Sequence, residues 1–191
     1  ANPTLQLIDI ADVARQAGSL VTHPEFRDYS PAFDPEGRFL YFLSIRTFDP
    51  VYDAVQFELS FPRAARPYLI ALQAGGPPPF DPEPKGLRPD DPAAATVKPG
   101  AAPAPLRVDV DGMSLRVAAF PVREGRFGQI AGAAGGKVLW TVLPITGAHG
   151  RGGHKESPGR LEVFDFATLR PETLMDKADR FELAADATTL V

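Results

Sequence analysis

The sequence predicts an all-β chain, arranged as part of a β-propeller, and three observations predict it. Proline supplies 21 of the 191 residues, about twice ordinary usage, and works against long helices because it lacks an amide hydrogen and locks φ. Short apolar or alternating runs recur, each bounded by Gly, Pro or Asp, which is the pattern of short antiparallel strands. A turn-then-strand element also repeats along the chain, as blades of a propeller do at spacings of about 40 to 50 residues.

The runs lie at 5–10, 39–45, 68–72, 106–110, 115–122, 137–143 and 161–166. No stretch reads as an amphipathic helix of three turns. The nearest candidate, residues 10–20 (IADVARQAGSL), fits a strand end, a turn and the start of another strand. Residues 75–105 differ in character, with ten prolines in 31 positions and mostly Ala, Gly or Asp besides. Such composition buries too little apolar area to offset ordering entropy, so an extended spacer without a function of its own is expected there. Residues 146–159 (TGAHGRGGHKESPG) read as a second surface loop.

The repeat is sharpest at Phe33-Asp34-Pro35-Glu36-Gly37-Arg38-Phe39-Leu40-Tyr41. Leu183-Ala184-Ala185-Asp186-Ala187-Thr188-Thr189-Leu190-Val191 aligns with it position for position, with Ala187 where the turn glycine stands. Between them, residues 130–140 (IAGAAGGKVLW) share the rhythm. Gly136 falls about 50 residues before Ala187 and about twice that after Gly37. The Asp-Pro-Glu-Gly element specifies a tight hairpin: proline presets the first turn dihedral, glycine supplies positive φ, and the acid bonds neighbouring amides. On this scheme residues 1–28 end one blade. Residues 29–126 form a blade with strands near 29–33, 39–45, 66–72 and 106–111 and two long insertions. Residues 127–178 form the next, and 179–191 begin another. About three four-stranded blades cannot close a ring, so a fragment of a larger propeller is expected, with exposed strand edges that self-associate or are held by further blades.

Composition narrows the function. No run approaches the roughly 18 apolar residues of a membrane helix, so a soluble chain with no membrane partner is expected. The absence of cysteine removes disulfides, thiolate zinc sites and cysteine nucleophiles, and fits a cytoplasmic location. A formal charge of -4, with no local Lys/Arg cluster, leaves nucleic acid without a positive field. The start, Ala1-Asn2-Pro3-Thr4, lacks the basic and apolar regions of a signal peptide, and the chain is expected to be cut from something longer.

A more specific likeness lies in Phe26-Arg27-Asp28-Tyr29-Ser30-Pro31-Ala32-Phe33-Asp34-Pro35-Glu36-Gly37-Arg38-Phe39-Leu40-Tyr41-Phe42-Leu43-Ser44, running into Arg46-Thr47-Phe48-Asp49-Pro50-Val51-Tyr52-Asp53. Phe57-Glu58-Leu59-Ser60-Phe61-Pro62-Arg63 and Arg66-Pro67-Tyr68-Leu69-Ile70 follow. This run resembles the second, seven-bladed propeller of tricorn-like serine peptidases. Val108-Asp109-Val110-Asp111-Gly112, Phe120-Pro121-Val122, Gly136-Lys137-Val138-Leu139, Leu161-Glu162-Val163-Phe164-Asp165-Phe166 and Phe181-Glu182-Leu183 continue the likeness in order. The resemblance implies a parent cytoplasmic peptidase that trims oligopeptides and assembles as a homo-oligomer, with its catalytic serine and histidine outside this segment. It further implies a propeller serving as channel wall or gate. The alternative is an assembly module that binds folded partners without passing peptides. The expected partners are the remainder of the parent peptidase, its other subunits, and oligopeptides.

No catalytic residue is expected within the segment itself. None of Ser19, Ser30, Ser44, Ser60, Ser114 or Ser157 lies in a Gly-x-Ser-x-Gly elbow. His149 and His154 sit in a glycine-rich loop with only Glu156 nearby, so neither a base nor a metal site is expected. Asp109-Val110-Asp111-Gly112 lacks the remaining calcium ligands and reads as a turn after a strand. No cofactor is implied. The substrate-binding candidates are Arg46, Arg63 and Arg66, since a guanidinium at a channel mouth holds a peptide carboxylate by paired, charge-assisted bonds. The structural alternative, favoured here, pairs them with Asp49, Asp53 or Glu58 and pins the insertion. Phe48, Tyr52, Phe57, Phe61 and Tyr68 likewise read as a satellite cluster rather than a peptide path.

Overall fold

In a computed structural model the described residues are 2–8, 18–47, 51–52, 59–60, 64–80, 107–144 and 158–191. They form two four-stranded antiparallel sheets flanked by two hairpins, a partial β-propeller, with no α-helix among the described residues. The first hairpin pairs β1 (Gln6–Ile8) with β2 (Gly18–Leu20). The first sheet runs β3 (Arg27–Phe33), β4 (Phe39–Ile45), β7 (Ala65–Ala71), β8 (Val117–Ala119) from one edge to the other. The insertion between β4 and β7 carries a two-residue ladder of β5 (Val51–Tyr52) and β6 (Leu59–Ser60). The second sheet runs β9 (Arg126–Ala133), β10 (Lys137–Leu143), β11 (Arg160–Asp165), β12 (Arg170–Met175). Beyond it, Leu183 bridges Leu190 to open a further hairpin.

The central strands are apolar without alternation because each sheet is buried on both faces. Along β4, Tyr41 and Leu43 join the core shared with the second sheet, around Phe120, Phe127, Ile130, Trp140 and Phe164. Leu40 and Phe42 point the other way, with Ile70, Leu72 and Met113, against Leu5 and Val21 of the first hairpin. In β10, Trp140 faces the first sheet while Leu139 meets Leu161 and Phe181. Trp140 is fully buried, and its indole N–H donates to Glu162 Oε2 at 2.8 Å, so the ring is buried without an orphaned donor. Each sheet is thus a middle layer, as blades of a propeller must be.

The turn repeat has the same backbone bonds in both of its aligned copies. Asp34 N–H donates to Phe39 O and Gly37 N–H to Asp34 O, each at 2.9 Å. Ala184 N–H donates to Thr189 O and Ala187 N–H to Ala184 O, also at 2.9 Å. Gly37 has φ 73° and Ala187 φ 54°, so the alanine adopts the left-handed conformation that glycine takes at no steric cost. Side chains reinforce each turn differently. The buried Asp34 carboxylate accepts from Arg38 Nε at 2.8 Å and Tyr41 OH at 2.9 Å, whereas Asp186 accepts from the amides of Thr188 and Thr189. Those amide bonds hold the Asp186 carboxyl far below the usual range.

Two expectations change. The fourth strand of the first sheet is β8, not residues 106–111. Asp109 N–H is drawn to Leu72 O at 2.8 Å, and Arg116 donates to the carbonyls of Ala71, Asp109 and Asp111. These bonds close the base of the crossover from β7. Gly112 (φ 66°) and the 3-10 turn Met113–Arg116 then redirect the chain into the edge strand. The Asp109-to-Gly112 segment is a turn, with Met113 N–H bonded to Val110 O, but among the described residues from 107 on no strand precedes it. The proline-rich stretch also begins as more than a spacer. Phe80 stacks on Phe166 (5.8 Å, 6°) and packs against Phe120 and Phe164, filling space between the two sheets. Residues 81–106 lie outside the described residues.

Candidate functional site

Strand direction sorts the loops. Tyr29 OH donates to Phe127 O, while at the far ends of the same strands Gly135 N–H donates to Glu36 Oε1, so β3 and β9 run the same way side by side. Gln129 bonds Phe181, and Ala134 N–H donates to Ala187 O, so the segment 181–183 continues the series. The innermost strands of successive blades therefore stand next to one another. Their tight turns share one end, where β7 and β11 finish. Strands β4 and β10 finish at the other, where β3, β7, β9 and β11 begin.

That second end is rich in arginine because Arg27, Arg66, Arg126 and Arg160 lie at the first or second position of the strands that start there. Arg46 follows β4, and Arg180 precedes the next inner segment. Arg46 is held firmly. Its Nε donates to Ser44 Oγ at 2.9 Å, and its guanidinium lies over the rings of Tyr68 (4.4 Å) and Phe26 (4.5 Å). One nitrogen stands 3.7 Å from the buried Asp28 carboxylate, whose oxygens have no hydrogen-bond donor among the described residues. Arg66 donates to Phe120 O at 2.9 Å and meets Glu124 at 3.3 Å. The pinning partners are thus Asp28 and Glu124. The expected partners Asp49, Asp53 and Glu58 lie outside the described residues, as do Arg63, Phe48, Phe57, Phe61, His149 and His154. Tyr68 belongs to the core facing the first hairpin, and burial raises its phenol above the ordinary range.

A cleft of about 830 Å³ opens at this end between β9 and residues 179–182. Arg126, Gln129, Leu143, Arg180, Phe181 and Glu182 line it. Arg126 donates to Pro144 O at 3.3 Å. Neither Arg126 nor Arg180 forms an ion pair with another described residue, in contrast to Arg38, Arg66 and Arg160. Asp179, on the cleft wall, accepts from Gly159 N–H at 2.7 Å and is occupied in fixing the loop. Two guanidinium groups with no ion-pair partner among the described residues, in a wall that also carries Glu182 and beside exposed main chain at Gly128, suit an extended chain with a carboxylate. Sequence reading missed these residues. Their signal was the alignment of the inner strands, which puts Arg126 and Arg180 at blade starts, but isolated arginines carry no motif.

The site has no hydrolytic machinery among the described residues. Ser30 Oγ accepts from Ile130 N–H and Ser44 Oγ from Arg46, neither positioned by a histidine. No group of three or more metal-type side chains converges among the described residues.

Residues 1–191 match the family described as "Tricorn protease second beta propeller domain". The chain belongs to the tricorn protease family. It is 40% identical over 186 residues to tricorn protease homolog 1 of Streptomyces coelicolor, covering 95% of this chain and 17% of that protein. It is 36% identical over 171 residues to a tricorn protease homolog of Saccharolobus solfataricus, covering 90% of this chain and 14% of that one. The solved "Crystal structure of the tricorn protease" has the same fold over 98% of this chain and 17% of its own, with a TM-score of 0.65 at 24% identity. The chain therefore spans about a sixth of the length of these tricorn relatives. No helix among the described residues is long and apolar enough to cross a membrane.

Proposed function

We propose that this tricorn propeller segment forms part of the wall of a peptide route in a cytoplasmic, oligomeric serine peptidase that trims oligopeptides, with bond cleavage carried out elsewhere in the parent polypeptide. The observation that carries this reading is the cleft at one end of the inner strands, where Arg126 and Arg180 stand beside Gln129 and Phe181 with no ion-pair partner among the described residues. In this reading they hold the peptide's terminal carboxylate, and the engaged Arg46 and Arg66 stiffen the rim around them. Arg63, in the same insertion sequence as Arg46, is a third candidate contact.

Fluorescence anisotropy with short labelled peptides tests this. A peptide with a free C-terminal carboxylate is expected to bind more tightly than its carboxamide. Arg126→Ala with Arg180→Ala is expected to remove that difference, a change of about tenfold for two solvent-exposed ion pairs worth roughly 1.5 kcal/mol together. Equal binding of the two peptides by the wild type contradicts the carboxylate contact. Binding of folded proteins alone, with no affinity for peptides, favours the assembly-module reading.

A further inference from the structure

The inner strands share an irregularity of register. In β3, Tyr29 faces Leu43 and Ala32 faces Tyr41, so Ser30 and Pro31 together oppose Phe42. In β9, Phe127 faces Val142 and Ile130 faces Trp140, so Gly128 and Gln129 together oppose Thr141. The bulge sits at the same position of each blade. Ser30 takes φ 54° there, a conformation that costs a non-glycine residue about 1–2 kcal/mol. A bulge turns a side chain out of its regular direction. In both strands the redirected side chain reaches the next blade. Ser30 Oγ accepts from Ile130 N–H at 3.2 Å, between residues 100 apart in sequence. Gln129 donates through Nε2 to Phe181 O at 2.9 Å and accepts from Phe181 N–H at 3.4 Å. Phe181 is itself at the corresponding position, since the mutual backbone pair of Glu182 and Val191 repeats that of Ala32 and Tyr41.

We infer that the bulge side chains Ser30 and Gln129 are spacers that set the separation of neighbouring inner strands, and that Gln129 fixes the width of the cleft. The two linkers differ in reach. A serine hydroxyl oxygen is one bond beyond Cβ, whereas the oxygen and nitrogen of the glutamine amide are three bonds beyond it. Both interfaces are also tied at the tight-turn end, by Gly135 N–H to Glu36 at one and Ala134 N–H to Ala187 O at the other, and at the serine interface the strands lie so close that a Cβ on Gly132 would be 2.8 Å from Pro35 Cδ and 2.9 Å from Phe33 O. The cleft opens at the glutamine interface, with Gln129 and Phe181 both in its wall. Gln129 is thus a positioning residue for whatever the cleft admits. Its consequence for peptide size rests on the peptide-route reading above, but the spacing itself does not.

The chain contains no cysteine, so introduced pairs can be spin-labelled alone. His23, Arg123 and Lys177 are exposed and lie in the loops that lead into three successive inner strands. Double electron–electron resonance between Arg123→Cys and Lys177→Cys reads the glutamine interface, and between His23→Cys and Arg123→Cys the serine interface. Gln129→Ala is expected to broaden and shift the first distribution and leave the second unchanged, with Ser30→Ala doing the reverse. Gln129→Asn, the milder change, keeps the amide on a shorter stem and is expected to draw the first pair closer. Faster hydrogen exchange at the Phe181 amide in Gln129→Ala and at the Ile130 amide in Ser30→Ala provides a local readout. Unchanged distances in folded variants overturn the inference, because sheet packing would then set the spacing alone. Changed distances with an unaltered peptide-length preference uphold the spacers and contradict the peptide route.

Discussion

At the scale of single residues, the turns carry the sharpest consequences. Gly37→Ala places a Cβ at φ 73° and is expected to cost about 1 kcal/mol, read as a lower urea midpoint at constant slope. Ala187→Gly is expected to be neutral to slightly stabilising, because relief of left-handed strain offsets the added freedom of the unfolded chain. Gly132→Ala is expected to be worse than either, about 1–3 kcal/mol, since backbone and a proline ring, not a flexible tip, stand in the way. Protonation gives a second set. Lys137 and the Ala167 amide hold the Asp165 carboxyl below its usual range. A depressed carboxylate contributes stability that is present above its unfolded value, near pH 4, and is lost as pH falls through the folded one. Tyr41 works in the opposite direction, because burial and the adjacent Asp34 carboxylate push its phenol up. Its contribution is complete below about pH 10 and is lost as pH rises beyond that. Urea titrations across pH are expected to show both flanks, with Tyr41→Phe flattening the alkaline one.

At the scale of elements, most strands were legible because their apolar runs are bounded by Gly, Pro or Asp. The 39–45 and 137–143 runs correspond to β4 and β10, whose two buried faces need no polar alternation. The turn alignment was legible down to Ala187, since a four-residue turn between two strands closes its own backbone hydrogen bonds in Asp34-Pro35-Glu36-Gly37 and in Ala184-Ala185-Asp186-Ala187 alike. The fourth strand was not. Val108-Asp109-Val110 alternates like a strand, yet the Arg116 clamp and the Asp109–Leu72 bond are contacts between segments far apart in sequence, and no local pattern encodes them. The role of Phe80 was hidden for the same reason. Composition marks 75–105 as spacer, while the slot that receives Phe80 is built by Phe120 after β8 and by Phe164 and Phe166 at the end of β11. Phe80→Ala is expected to cost about 1–2 kcal/mol for a half-buried ring, against about 3–5 kcal/mol for Phe120→Ala in the closed core. Differential scanning calorimetry of the two variants checks the order.

At the scale of the whole molecule, the layers fit a segment that matches about a sixth of its longer relatives. The hairpin of β1 and β2 covers one face of the first sheet, and residues 181–190 cover the outer face of the second. β12 is exposed along its full length, as befits the outer edge of a blade, and Pro171 interrupts its hydrogen-bonding row. The site was less legible than the fold. Sequence reading reached the arginine-rich end through Arg46 and Arg66, which stack or ion-pair with their neighbours there, while Arg126 and Arg180 come into view only when inner strands are set side by side.

The central claim is that the inner strands line the route taken by a peptide. Photo-crosslinking tests it most directly: a short peptide carrying a benzophenone is irradiated with the chain, and the modified residues are mapped by mass spectrometry. The account predicts adducts concentrated at 126–129 and 179–182, lost in Arg126→Ala with Arg180→Ala. Adducts confined to β12, or spread evenly over the surface, contradict it.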